Sequence, residues 1–140
     1  MSRTSDLPSP APTSRFPTLA AAFFGFTGVA IGALGAHRLW PLLMERGMTR
    51  SWETASKYHL LHAVALVGLA ALYRTMPQAS GPLLWAARLW SVGIVLFSFS
   101  LYAYTLGGPR FLAHVTPFGG IIFLAGWACV FAAGLKRQSI

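Results

Sequence analysis

Two histidines, His59 and His62, stand three residues apart in a stretch that holds few other ionisable groups. At that spacing two imidazoles leave neighbouring positions of one helix, which could place both on a metal or a haem or make them a protonatable pair. Two more histidines, His37 and His114, and two carboxylates, Glu45 and Glu53, complete the candidate groups. Lys57 follows Glu53 by four residues, so the carboxylate is an ion-pair partner on its own helix before it orients either imidazole. On an ideal wheel Glu53 and Lys57 point well away from His59 and His62. The sequence contains no HExxH, CxxC or CxxCH string, and no nucleophile has a recognisable triad context. The single cysteine, Cys129, lies in an apolar run and reads as a small core residue. No cofactor is therefore expected. The histidines read first as interfacial or interhelical hydrogen-bonding groups, with haem or metal ligation and proton-linked work as the sharper alternatives.

The elements that must position these groups are set by where the few charges fall. Only 10% of the 140 residues are charged and 55% are hydrophobic, against about a quarter charged in an ordinary soluble domain. Between Arg15 and His37 lie 21 uncharged residues, and between Arg88 and Arg110 another 21. Each run matches the about 20 residues that a helix needs to cross the hydrocarbon core. A third run follows His114, and the shorter one from Tyr58 to Tyr73 is extended toward the interface by Ser51 to Lys57. Residues apolar on every side of a helix suit lipid rather than water. The expected fold is all-α: an integral membrane four-helix bundle of up-down topology, with helices at about 16–37, 51–75, 82–106 and 117–136.

Turn chemistry punctuates those spans. Met76-Pro77 and Gly81-Pro82 separate spans two and three, and Gly107-Gly108-Pro109 stops span three. Thr116-Pro117 reads as an N-cap with proline at the first helical position, and Ser51 as a cap that leaves Glu53 in the first turn of span two. Trp40 to Arg50 is then an interfacial connector. Residues 1–15, with Pro8, Pro10 and Pro12, read as a flexible tail ahead of a single membrane domain over 16–137. The apolar segment after the tail is too long for the core of a cleaved signal peptide.

Within the spans, Gly25, Gly28, Gly32 and Gly35 fall on one face of span one, which predicts close packing against another helix. Arg88, Ser91, Ser98, Tyr102 and Thr105 recur at helical spacing along span three and predict a polar stripe facing the bundle. Four spans put all four histidines, Glu45 and Glu53 toward one membrane side. His62 is the deepest histidine and should turn inward to a hydroxyl or backbone carbonyl, with Tyr102 as a candidate partner and at a similar depth to His37 and His114. The net charge of +8 is scattered singly at helix ends, so anionic lipid headgroups fit it and nucleic acid does not. Six basic residues on the side of the termini against five opposite lean toward cytoplasmic termini.

In order along the chain, Gly32-Ala-Leu-Gly-Ala-His37, Trp52-Glu-Thr-Ala with Tyr58 and His62-Ala63, Phe97-Ser-Phe-Ser-Leu-Tyr102, Thr116-Pro-Phe-Gly-Gly120 and Gly126-Trp127 resemble the YgdD-like family. The match covers about residues 18 to 136. The resemblance implies a small four-span protein of the bacterial inner membrane, with mitochondrial and animal relatives, of no established activity (domain of unknown function 423). It brings no catalytic residues. The expected function is non-enzymatic, an accessory or assembly subunit of a larger membrane complex, bound to a membrane-protein partner or to its own copies. The alternatives are a small proton-linked transporter or channel and a haem- or quinone-binding redox protein.

Overall fold

The computed structural model describes residues 13–136. Most of the tail, residues 1–12, and the end of the chain from 137 lie outside the described residues. Six α-helices make up the rest: α1 (Phe16–Ala36), α2 (Trp40–Glu45), α3 (Thr49–Thr75), α4 (Ser80–Ile94), α5 (Ser100–Thr105) and α6 (Phe111–Gly134). A 3₁₀ turn, Pro77–Ala79, leads into α4, and a π-helical segment, Val95–Phe99, joins α4 to α5. The chain from Pro77 to Thr105 is thus one continuous crossing of 29 residues. With α1, α3 and α6, at 21, 27 and 24 residues, it gives four apolar helices long enough to span a membrane. Phe26, Val64, Val92 and Phe131, one from each crossing, all point outward. That surface is stable in hydrocarbon and costly in water.

The four crossings form two antiparallel pairs, α1 along α3 and α4 along α6, joined through α3 and α4. Glycine makes both seams close. On α1, a Cβ at Gly28 would stand 2.8 Å from the Leu60 side chain, and one at Gly35 would collide with the Trp52 indole. On the other pair, Gly126 lies under the Trp90 indole, Gly93 under the Phe123 ring, and Gly119 against the backbone of Leu96 and Phe97. The expected glycine face of α1 is therefore only half occupied. Gly25 and Gly32 have nothing within 4 Å of where a Cβ would go. They sit at the edge of the face whose centre runs through Ala21, Phe24, Gly28 and Gly35.

Three expectations about helix ends change. Span four begins at Phe111, so Pro117 lies inside α6 instead of starting it. Thr116 turns its hydroxyl to the Leu112 carbonyl of its own helix, 3.2 Å away, and does not cap. Membrane helices tolerate such a proline when neighbouring groups cover the freed carbonyl. Span two starts at Thr49, ahead of Ser51, with no acidic residue in its first turn. Gly81-Pro82 lies within α4, which the 3₁₀ turn at Pro77 starts early. The connector between spans one and two is itself partly helical, as α2. It lays Leu43, fully buried, over Trp52, Ala55 and Tyr102. Arg46 then donates from Nε to the Thr105 carbonyl at 2.9 Å, so a cation neutralises the exposed C-terminus of span three.

Candidate functional site: a buried two-histidine core

The polar stripe expected on span three divides at the π segment. Before it, α4 buries Leu83, Ala86, Ala87, Trp90, Gly93 and Ile94 while Arg88 is exposed and Ser91 half-buried. Within it Ser98 is buried, and after it Tyr102 and Thr105 are buried. A π turn holds one more residue than an α turn, so it advances the buried register by one position. The continuation of Leu83, Ala87, Trp90 and Ile94 in an unbroken helix would be Phe97 and Leu101. The extra residue makes it Ser98 and Tyr102. The widened turn also frees a carbonyl, and the Ser100 hydroxyl covers the carbonyls of Leu96 and Phe97 while meeting Thr116 Oγ1 of α6 at 2.9 Å.

That register brings Tyr102 to His59. The histidine is fully buried on α3, with Nδ1 3.4 Å from the Tyr102 hydroxyl and Nε2 3.3 Å from Thr27 Oγ1 on α1. Thr27 spends its own proton on the Phe23 carbonyl, 2.9 Å away. Its oxygen is then an acceptor toward His59, which places the imidazole proton on Nε2 and leaves Nδ1 to accept from Tyr102. The tyrosine has a second acceptor in reach, Ser56 Oγ at 3.2 Å. One side chain on α3 thereby ties α1 to α5.

His62, only 2% exposed, meets a different helix and carries the opposite tautomer. Its Nδ1 lies 2.9 Å from the Tyr58 carbonyl, which can only accept. Trp127 of α6 donates from Nε1 to His62 Nε2 at 3.3 Å, and an indole N–H can only donate. Both bonds are made together by a neutral ring protonated at Nδ1. The ring stacks flat on Phe123, with centroids 3.7 Å apart and planes 8° from parallel, and meets Trp90 edge-on at 5.7 Å. His62 points inward and reaches a backbone carbonyl, but the tyrosine partner anticipated for it belongs to His59. The two side chains leave α3 only about 60° apart but nearly a full turn apart along it, and that offset is enough for His59 to meet α1 and α5 and His62 to meet α6.

The other members of the expected polar cluster stay apart from this core. His37 and His114 are exposed at the ends of α1 and α6, and Glu53 and Lys57 are exposed on the outside of α3. His62, 13 residues below the start of α3, lies roughly 20 Å into the helix at 1.5 Å per residue. The histidines therefore occupy different levels. Among the described residues no three His, Cys, Asp or Glu side chains converge where a metal ion could be held. Among the described residues three buried side-chain polar atoms have no partner: Trp52 Nε1, Trp90 Nε1 and Ser98 Oγ. The two indoles are those laid on Gly35 and Gly126.

Sequence reasoning passed over Thr27, Trp127, Ser56 and Arg46 as members of this core and its cap. Gly119 and Gly126 repeat the seven-residue spacing of Gly28 and Gly35, a signal that could have identified the second seam.

Four apolar crossings around a neutral, hydrogen-bonded polar core define a small multi-pass membrane protein whose interior is built for helix-to-helix contact. The family described as "Protein of unknown function (DUF423)" matches residues 31–120. The chain is 40% identical over 132 residues to the UPF0382 inner membrane protein YgdD of Escherichia coli (strain K12), covering 91% of this chain and 97% of that protein. It is 38% identical over 108 residues to a UPF0382 membrane protein of Staphylococcus epidermidis, covering 77% and 85% of the two chains. A UPF0382 membrane protein of Haemophilus influenzae is 33% identical over 126 residues, 85% and 93% of the two. The chain belongs to this DUF423, or UPF0382, family and is a multi-pass protein of the inner membrane. No solved structure matches it.

Proposed function

We propose that the chain is a non-enzymatic membrane module that acts by lateral contact with another membrane protein, as an accessory or assembly subunit. The observation that carries this reading is the outer surface of α1. Leu19, Phe23, Phe26 and Leu34 form one bulky outward strip. Beside it, Ala22, Gly25, Val29, Gly32 and Ala36 recur at alternating spacings of three and four residues, with open space over both glycines. The bulky strip suits disordered acyl chains. The shallow strip lets a second backbone approach and gain dispersion contacts that lipid does not match. The buried histidines support the same reading, because each ring nitrogen is engaged by a group of the bundle and the rings act as ties between helices.

The test is purification from a mild detergent extract of the wild type and of the Gly25→Leu, Gly32→Leu double variant. A stoichiometric partner, or a second copy of the chain, should be lost from the double variant while its melting temperature is preserved. A partner retained by the double variant would move the contact elsewhere, and a monomeric wild type free of partners would overturn the reading.

A further inference from the structure

On the opposite flank of α1 a second feature faces the lipid. Phe16 and Phe24 of α1 and Arg88, Ser91, Val92, Val95 and Leu96 of the third crossing line an apolar cleft of roughly 530 Å³. α1 and α4 enter the bilayer from the same side, so Phe16 and Arg88 mark the outer end of the cleft, and Phe24 and Leu96 its deep end. The π segment forms the floor of that deep end through Val95 and Leu96. Arg88 is the one charged residue lining it. Its guanidinium lies 5.3 Å from the centroid of the exposed Trp85 ring, a contact that holds the charge beside an interfacial aromatic.

Among the described residues no carboxylate side chain lies at this end of the bundle. Arg15, Arg74, Arg88 and Lys136 gather there, while the two acids among the described residues, Glu45 and Glu53, end α2 and begin α3 on the other membrane side. A guanidinium within a span is costly unless it reaches a counter-charge. Its planar fork matches two oxygens of a phosphate.

We propose that this cleft is a binding site for an anionic phospholipid, one acyl chain lying between α1 and α4 down to the π segment and the phosphate paired with Arg88. The long arginine stem spans the distance from its helix to headgroup level. The site lies on the flank of α1 away from Gly25 and Gly32, so it stands or falls independently of the partner contact proposed above.

Native mass spectrometry of the detergent-purified full chain, titrated separately with phosphatidylglycerol and phosphatidylcholine, tests it. The wild type should retain phosphatidylglycerol in preference, and Arg88→Gln should reduce that preference about fivefold, the effect of one basic residue at an anionic surface. Arg88→Lys should keep most of it. Arg110→Gln, at the other end of the bundle, should change nothing. Val92→Trp should fill the cleft and remove the adduct, with its melting temperature as the control for folding. Equal retention of the two lipids by the wild type would overturn the site. So would an Arg88→Gln protein that keeps the full preference, or an Arg110→Gln protein that loses as much.

Discussion

His59 and His62 share a helix, a depth within one turn of each other and nearly the same burial, yet they carry their protons on different ring nitrogens. The difference is dictated by the partners. His59 faces a threonine oxygen whose own proton is committed to a backbone carbonyl, while His62 faces a carbonyl on one side and an indole N–H on the other. Nitrogen NMR of the histidine-labelled protein should show His59 protonated at Nε2 and His62 at Nδ1; an Nε2-protonated His62 would mean the Trp127 bond is not made. Removing the ring has an energetic signature as well. His62→Leu strands the Trp127 N–H, whereas His62→Gln keeps an acceptor, so the leucine variant should melt lower. A double-mutant cycle between His62→Leu and Trp127→Phe should give a coupling on the order of 0.6 kcal/mol, the scale of hydrogen bonds between membrane helices. That His62 turns inward was readable from the cost of an imidazole in lipid. Its partner was not, because that requires knowing that the long Phe123 and Trp127 side chains of α6, and not Tyr102 of α5, reach His62.

At the scale of the helices, the crossings are legible because single charges bracket the apolar runs, and their ends are less so because proline has two readings. Pro117 looks like a helix start, and only the Thr116 hydroxyl turned back on its own helix reveals that α6 is already under way. The π segment was illegible for a related reason: a pattern with a period of 3.6 residues carries no mark of an inserted residue, so Arg88 and Ser91 appear to share a face with Ser98 and Tyr102. The glycines separate the two levels of knowledge. Gly28→Leu must displace Leu60 and the nearby His59 ring, and should cost about 1–3 kcal/mol as overpacking. Gly32→Leu enters open space and should change the stability of the isolated chain by no more than about 0.5 kcal/mol. Thermal unfolding of the two variants in the same detergent checks the contrast, and equal losses would place Gly32 in an internal contact.

The whole molecule is two like halves made by unlike means. Spans one and two close on Gly28 and Gly35, with Trp52 laid on the latter; spans three and four close on Gly119 and Gly126, with Trp90 laid on the latter. Each half is thus a pair of consecutive helices that can zip along its own seam, and the histidines then clip the halves together, His59 to Tyr102 and His62 to Trp127. This order bears on how the protein is made. A ribosome feeding a translocation channel delivers span two directly after span one, so the first hairpin can mature in the lipid while the second is still being synthesised. Cutting the gene at the 3₁₀ turn between Pro77 and Ala79 and expressing residues 1–78 and 79–140 together should therefore yield two fragments that copurify as a complex. Fragments that accumulate separately would show that the hairpins are not independent units of insertion.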